Sequence, residues 1–526
     1  MIDRLAARLA NLSGWRRRFL WLVSGAVAVL ALPPFFFLPA LPIAFAVLLW
    51  SLEGVKCNKG ALSAGWWFGT GHFAAGFYWV SHAFLVEPEI YGWMIPFVLL
   101  GLGGGLAIFP MVAVWASWWM TREIIGRAVM LAAFWAVAEF LRGHLMTGFP
   151  WNLLAHVWAI DPAPMQFSAI VGVYGLSVIT GLFATLPATF IAGRAGRLTA
   201  FAGIMIAGLL WGGGAFRLAL VGSVDAEVPV SEDLPLVQVV QPNIPQREKW
   251  VPELQDQHFA KLLRLSRRPA DMAPDRKRIV IWPETAATFF VETQPVRRLQ
   301  MASVLGSDDI LVTGAPRTYP RDTDEFKVWN AVQVLDSTGE IVASFDKFHL
   351  VPFGEYVPFR NWIPIPKLTA GRTDFSFGPG PQTLDIAGLP SFSPLICYEV
   401  IFPGAVIDDA DQPDWLLNVT NDGWFGKSAG PYQHLAATRF RSIEEGRPLV
   451  RAAYTGVSVM YDAYGRELAR LPLSAEGVLV HPLSKVYNHT TVYYLWRDIL
   501  FYGIVTFLAV LVLGYSRFFK SLKAAV

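Results

Sequence analysis

The stretch Ser393-Pro-Leu-Ile-Cys-Tyr-Glu-Val400 is the starting point of the fold prediction, because an apolar run ends there on a cysteine and then turns polar. Short apolar runs of this kind are typical of buried β-strands. Cys397 is one of only two cysteines in the chain of 526 residues. A buried cysteine is usually inert, so this stretch alone favours packing over a role as nucleophile.

Similar short runs recur on both sides of this stretch, from residue 235 onwards. Several are apolar on both faces, which predicts strands covered by helices on either side. The predicted covering helices span residues 251–268, 294–305 and 432–446. The predicted strands are 236–240, 278–282, 310–313, 328–335, 341–345, 393–396, 415–419, 449–453, 456–461 and 477–481. We therefore predict an α/β sandwich domain within residues 218–492.

The remainder of the chain consists largely of runs without Asp, Glu, Lys or Arg. Hydrophobic residues make up 54% of the chain and charged residues 16%, against about 25% charged residues in soluble proteins. A helix needs about 20 apolar residues to cross a bilayer. The composition therefore predicts an α-helical membrane bundle of eight transmembrane helices, seven in residues 1–217 and one in residues 493–526. The uncharged runs are 19–52 (divided by Pro33-Pro34 into two helices), 60–86, 90–121, 162–193, 198–216 and 499–516, with a weaker run at 128–141.

Lys and Arg residues in the loops predict the orientation of these helices. Fourteen lie on one side of the predicted spans and only Arg142 lies on the other. Because cytoplasmic loops retain positive charge, both termini are expected in the cytoplasm and residues 218–492 outside it. A cleavable signal peptide at 16–32 is disfavoured, since the next apolar run follows without a convincing cleavage site. Cys57 and Cys397 then lie on opposite sides and cannot pair within one chain.

Glu284 and Lys347 follow predicted strands, as Cys397 does, and α/β folds place their sites at strand ends. Glu284 or Lys347 alone is more simply a surface residue. Together the three form a complete set for acyl transfer. A carboxylate can deprotonate the thiol, and an ammonium can stabilise the oxyanion that forms when the sulfur attacks a carbonyl.

Four motifs resemble those of the nitrilase superfamily: W-P-E-T at 282–285, D-K-F-H-L-V-P-F-G-E-Y-V-P at 346–358, I-C-Y-E at 396–399 and N-V-T-N-D-G-W-F at 418–425. Joined to the predicted spans, they make the chain similar to the apolipoprotein N-acyltransferases of the bacterial inner membrane. The resemblance covers nearly the whole chain, with no departure at the motif positions. It implies a nitrilase-like αββα sandwich for the predicted external domain, which would be periplasmic.

The resemblance also implies roles for individual residues. Glu284 would be the general base, Lys347 the oxyanion partner and Cys397 the nucleophile. Glu355 would support the lysine, and Tyr398 and Glu399 would be functionally important neighbours of the nucleophile. His349 and His434 match no family base, so we expect structural or orienting roles for them. The candidates for substrate binding are Trp151, Trp250, Trp424 and Phe425.

The reaction implied by the family takes an acyl chain from a membrane phospholipid, with phosphatidylethanolamine as the expected donor. The acyl chain passes through a cysteine thioester to the N-terminal amine of the diacylglyceryl-cysteine of an apolipoprotein. No cofactor and no metal are expected, and His72 and His82 lack companions at ligand spacing. The segments Pro352–Ile365 and Trp424–Phe425 are interpreted equally well as mobile lids or as ordinary core aromatics.

Two other functions fit parts of the sequence. A membrane-tethered amide hydrolase would use the same three residues with water as the acceptor, but one span would suffice to tether it. A transporter would need polar residues deep in the spans, where only Glu139 and Arg142 stand out. Nucleic-acid binding is disfavoured, because residues 218–496 contain 26 basic and 33 acidic residues and form no basic stripe.

Overall fold

The computed structural model describes residues 1–222, 234–268, 276–319, 326–358, 373–484 and 490–525. The chain divides into two compact units. One comprises residues 1–221 and 490–526, and the other comprises residues 222–489. The chain therefore leaves the first unit once and returns to it at its end.

The first unit is helical in its described residues. Its helices up to residue 221 are α1 (Ile2–Ala10), α2 (Gly14–Ala28), α3 (Ala40–Leu52), α4 (Asn58–Gly76), α5 (Ser81–Phe84), α6 (Pro88–Tyr91), α7 (Ile95–Leu106), α8 (Ile108–Met120), α9 (Ile124–His144), α10 (Pro162–Met165), α11 (Ser168–Thr185) and α12 (Gly193–Val221). The predicted break at Pro33-Pro34 falls between α2 and α3.

Four helical segments of the described chain are long and apolar enough to cross a membrane: Pro88–Met120, Ile124–His144, Ser168–Ile191 and Gly193–Val221. They coincide with four of the eight predicted spans, including the weaker one at 128–141. The other predicted spans fall on helices that are shorter or less apolar, among them α3. By length and composition, four helical segments of the described chain are thus clear candidates for membrane spans, against the eight spans predicted from the uncharged runs.

The second unit contains two β-sheets and three α-helices in its described residues. In chain order these are β1 (Leu236–Gln241), α13 (Gln255–Leu265), β2 (Arg278–Ile281), α14 (Pro295–Ala302), β3 (Ile310–Tyr319), β4 (Lys327–Leu335), β5 (Ile341–Asp346), β6 (Phe392–Ile396), β7 (Trp415–Thr420), α15 (Gly430–Glu445), β8 (Leu449–Ala453), β9 (Ser458–Tyr461), β10 (Glu467–Leu471) and β11 (Gly477–Pro482).

The six-stranded sheet has the order β11-β1-β2-β3-β4-β5 and the five-stranded sheet the order β10-β9-β8-β7-β6. Strands β1, β2 and β3 are parallel, as are β6, β7 and β8. Since side chains alternate along a strand, Ile279 and Ile281 point into the core between the sheets, and Val280 points towards the layer containing α13 and α14. The prediction of strands buried on both faces is confirmed.

Strand β10 is absent from the sequence prediction, which missed it for a physical reason. It lies at the edge of the five-stranded sheet, where β9 is its one partner among the described strands. Its residues are exposed or half-buried, and Glu467 and Arg470 face solvent. An edge strand with charged side chains carries little of the apolar signal on which strand prediction depends.

After β11 the chain re-enters the first unit and ends in two helices, α16 (Val492–Trp496) and α17 (Ile499–Ala525). The described apolar part of α17 is Ile499–Gly514. Val512 packs in a small cluster with Met130 and Ala133 of α9. The last helix is thus part of the helical bundle.

Candidate active site

Cys397 directly follows β6 and begins a 3-10 helix, Cys397–Ile401. Its φ of 54° lies in the left-handed region, which is strained for a residue with a Cβ atom. The side chain is 9% exposed, and burial together with the charge of Glu284 raises the pKa of the thiol above its ordinary value. The thiol is therefore protonated at neutral pH and needs a base before it can attack.

The carboxylate of Glu284 lies just after β2 and is held by two donors. The side-chain amide of Asn330 donates to Oε1 at 2.8 Å, and the backbone N–H of Asn421 donates to Oε2 at 2.8 Å. The residue is buried. Because both oxygens accept hydrogen bonds, the Glu284 carboxylate keeps one orientation. Its charge is one of those that shift the pKa of the Cys397 thiol.

Lys347 follows β5 and is 1% exposed. Its Nζ lies 2.8 Å from Oε2 of Glu355 and 3.8 Å from Oε1 of Glu284. Burial opposes the positive charge, but the two carboxylates outweigh it and raise the pKa of Lys347 above its ordinary value. The site therefore contains a permanent buried cation, whose charge in turn lowers the pKa of the Cys397 thiol and counteracts the effect of burial.

Asn330, on β4, connects the two carboxylates and was not among the residues singled out from the sequence. Its Nδ2 donates to Oε1 of Glu284 at 2.8 Å and to Oε1 of Glu355 at 2.9 Å. Glu355 is anchored further by the backbone N–H of Val351, which donates to Oε2 at 2.8 Å. The sequence signal for Asn330 is weak, because its strand contains a second amide side chain, Gln333.

Glu399 joins the loop after Lys347 to the strand that ends at Cys397. Its Oε1 accepts from the backbone N–H groups of Phe348 at 2.7 Å and His349 at 3.1 Å, and its Oε2 accepts from Ile396 at 2.7 Å. Burial raises the pKa of Glu399 to about 8, whereas the charge of Lys347 opposes the rise. Its position between two backbone segments suits a structural role.

Tyr398 is buried beside Cys397. Its ring centroid lies 5.6 Å from that of His349 and 5.0 Å from that of Phe402. The rings of His349 and Phe402 stack on each other with centroids 3.6 Å apart. His349 is thus part of an aromatic group next to Cys397.

His434, on α15, supports the backbone of Cys397. Its Nε2 lies 3.1 Å from the carbonyl oxygen of Cys397, and its Nδ1 lies 3.0 Å from Oδ1 of Asp422. Arg451 donates to Asp422 at 2.8 Å, and burial and Arg451 together lower the pKa of His434. Both ring nitrogens are engaged away from the thiol, which agrees with an orienting role.

The candidate substrate-binding aromatics are divided between the two units. Trp250, Trp424 and Phe425 are half-buried in the second unit, whereas Trp151 is buried in the first unit against Trp79, at 4.9 Å between ring centroids. Of the predicted lid Pro352–Ile365, residues 359–365 lie outside the described residues. Within the described chain, no three His, Cys, Asp or Glu side chains form a group able to hold a metal ion.

Gly314 of β3 lies against the turn that carries Glu284, the candidate base, and replacing Gly314 with alanine tests how tightly that turn is held. A Cβ atom at Gly314 would lie 2.5 Å from the backbone nitrogen of Thr285 and 2.6 Å from Cα of Glu284. The turn must therefore move. We expect Gly314→Ala to slow acylation of Cys397 by about 100-fold, because misplacing a reacting group by about 1 Å has effects of that size.

The matched control is Gly477→Ala on β11, where the nearest atom to the added Cβ is the tip of the Leu471 side chain at 3.3 Å. A flexible side chain can move aside, so this variant should acylate at close to the unsubstituted rate. Rates would be measured by mass spectrometry of the peptide containing Cys397. An unchanged rate in Gly314→Ala would contradict the dependence on this turn.

Comparisons with known families and proteins give consistent results across the chain. Residues 24–186 match the model of the apolipoprotein N-acyltransferase N-terminal domain, and residues 236–487 match that of carbon-nitrogen hydrolase. Among relatives, the apolipoprotein N-acyltransferase of Allorhizobium ampelinum is 38% identical over 91% of this chain and 92% of its own. That of Rhizobium rhizogenes is 35% identical over 97% of this chain and 98% of its own.

Among solved structures, a nitrilase-superfamily amidase from Nesterenkonia matches with a TM-score of 0.36 and 19% sequence identity. The match covers 51% of this chain and 96% of the amidase.

Proposed function

This chain belongs to the apolipoprotein N-acyltransferase family, and on that premise we propose that it transfers a fatty acyl chain from a membrane phospholipid to the N-terminal amine of the diacylglyceryl-cysteine of an apolipoprotein. Phosphatidylethanolamine is the proposed donor. The observation that carries the proposal is the buried thiol of Cys397 at a strained strand end, under the electrostatic influence of the Glu284 carboxylate and the buried Lys347 ammonium.

The first step forms a thioester on Cys397. Glu284 accepts the thiol proton as the sulfur attacks the ester carbonyl carbon of the phospholipid, and a C–S bond forms. The resulting oxyanion is stabilised by the ammonium of Lys347. When the tetrahedral intermediate collapses, the C–O bond breaks, and the leaving lysophospholipid oxygen takes the proton from Glu284.

The second step transfers the acyl chain to the amine. The N-terminal amine of the apolipoprotein attacks the thioester carbonyl, and Glu284 accepts a proton from the attacking nitrogen. The C–S bond then breaks, the amide is released, and the proton returns to the sulfur of Cys397. Lys347 stabilises the oxyanion in this step too, since both intermediates carry the charge on the same oxygen.

The surrounding residues support these two steps in different ways. Glu355 and Asn330 hold Lys347 and Glu284 in a fixed relation, since the Asn330 amide bonds both carboxylates and Glu355 pairs with the ammonium. Glu399 holds the backbone just before the nucleophile to the loop after Lys347. Tyr398 is proposed to support the nucleophile beside it, and the half-buried Trp250, Trp424 and Phe425 are proposed to contact the substrate. Trp151 of the first unit is a further candidate for substrate binding.

The topology proposed for this function has eight transmembrane helices, both termini in the cytoplasm and residues 218–492 in the periplasm, at the bacterial inner membrane. The excess of Lys and Arg on one side of the spans supports this orientation. Both substrates are anchored in lipid, which gives a reason for joining a nitrilase-like unit to a bundle of membrane helices.

The discriminating experiment asks where the acyl group goes. The full chain is incubated with phosphatidylethanolamine and the acyl adduct on the Cys397 peptide is quantified by mass spectrometry. A diacylated lipopeptide with a free N-terminal amine is then added, and in parallel the same lipopeptide with its amine acetylated. We expect the free amine alone to discharge the adduct, with equimolar N-acylated product. Release of free fatty acid at equal rates in both samples would instead identify a hydrolase.

A further inference from the structure

Lys249 is a fully buried lysine to which the two steps above give no role. Lysine is among the residues least often buried unless it has a partner. Its Nζ donates to the backbone carbonyl of Glu284 at 3.1 Å and to Oγ1 of Thr285 at 2.5 Å. The same Nζ lies 4.0 Å from the ring centroid of Tyr454. Both hydrogen bonds thus end on the turn that carries the base.

This turn adopts a conformation that needs external support. Thr285 has a φ of 46°, and a β-branched residue in the left-handed region is an outlier that persists only when its surroundings hold it there. Gly314 packs against the turn from β3 without room for a Cβ atom. Lys249 supplies hydrogen bonds to the same turn, so its ammonium and the glycine both restrict it.

The charge of Lys249 also matters for the site. Two carboxylates, Glu284 and Glu355, lie within 4 Å of the single ammonium of Lys347. Burial lowers the pKa of Lys249 to about 7, with Glu284 and Cys397 acting in the opposite direction. The charged and titratable groups around it are Glu284, Cys397 and Tyr454. Below pH 7 Lys249 therefore adds a second positive charge beside the base and the thiol.

We propose that Lys249 is a positioning residue for this reaction, which holds the Glu284–Thr285 turn in place and stabilises the negative charge of the base and the thiolate. It acts in this way only if Glu284 is the base proposed above. Two readouts are therefore needed: acylation of Cys397 by phosphatidylethanolamine, which depends on the proposed substrate, and alkylation of Cys397 by chloroacetamide, which does not.

The test variant is Lys249→Met, which keeps the length of the side chain and removes its charge and donors. We expect acylation to slow by about 100-fold, the effect of a misplaced reacting group. Alkylation should slow by up to about tenfold below pH 7 and stay unchanged above pH 8, because the positive charge that favours the thiolate is present only where Lys249 is protonated. The unfolding temperature should stay within a few degrees of the unsubstituted chain, since a buried amine is no longer desolvated.

Lys261→Met is the matched control, because its ammonium pairs with Glu476 at the surface. It should change neither readout. Thr285→Ala removes one acceptor of Lys249 and keeps the lysine, and it should slow acylation by about tenfold, as expected for one lost hydrogen bond to a charged group. If Lys249→Met does not fold, Thr285→Ala tests the proposed role of Lys249 instead.

Acylation at the unsubstituted rate in Lys249→Met or Thr285→Ala would overturn the proposal. So would a loss of acylation in Lys249→Met that parallels a loss of stability while the alkylation profile stays in place. If the unsubstituted chain forms no adduct with phosphatidylethanolamine, the proposed donor is wrong, and the alkylation profile alone then decides the role of Lys249.

Discussion

Cys397→Ala should abolish both the acyl adduct and acyl transfer, with a fall in rate of at least about 10⁴-fold, as is usual when a covalent nucleophile is removed. Alanine retains the Cβ atom, so the left-handed backbone at this position is no more strained than in the original residue. The side chain is buried and loses only its sulfur. The loss of activity should therefore occur without loss of the fold.

The matched control is Cys57→Ala, which removes the other cysteine of the chain, an exposed residue of the first unit. It should acylate normally and carry its adduct on the Cys397 peptide. Adducts would be mapped by mass spectrometry before and after treatment with hydroxylamine, which cleaves thioesters. A hydroxylamine-sensitive adduct at the unsubstituted level in Cys397→Ala would rule out Cys397 as the acylated residue.

The strands of the second unit could be predicted where they are buried, because buried strands are apolar in sequence. The sequence predicts ten strands of the described chain, and central strands such as β1, β2 and β7 are buried along their whole length and apolar on both faces. Strand β10 was missed because it is a charged edge strand. In the first unit the sequence reveals uncharged runs, but where a helix begins and ends within a run depends on packing, which composition does not record.

The residues of the candidate site, too, could be predicted from the sequence only in part. Glu284, Lys347 and Cys397 could be selected because each is a polar residue at the end of an apolar strand. Lys249 could not, since it lies in a polar run where a lysine is normally exposed, and only the tertiary fold places it against Glu284 and Tyr454. Burial of such a residue is a property of distant segments brought together, which local sequence patterns do not report.

Glu284→Gln is expected to lower the rate of Cys397 acylation at pH 7 by about 10³-fold, within the range that general bases usually contribute. The reason lies in the thiol. Burial and the charge of Glu284 raise the pKa of Cys397, so at neutral pH the proton must be removed during attack. Glutamine cannot accept that proton. It also places an amide N–H₂ opposite one of two existing donors, Asn330 or the backbone of Asn421.

For Glu284→Gln we expect the opposite change in the rate of a reaction that needs no base. Removing the charge of Glu284 lowers the pKa of the thiol, so alkylation of Cys397 by chloroacetamide should become faster at neutral pH while acylation becomes slower. Without a base, acylation should follow the thiolate fraction and rise up to tenfold per pH unit below the pKa of the thiol.

The matched control for this carboxylate is Glu292→Gln, because Glu292 is a half-buried glutamate that accepts from Gln333 Nε2 at 2.8 Å and lies outside the proposed machinery. It should retain the rate and the pH profile of the unsubstituted chain. If Glu284→Gln slowed acylation and alkylation to the same extent, Glu284 would act only by maintaining the structure around Cys397. Opposite changes in the two rates are specific to a residue that both raises the pKa of the thiol and removes its proton.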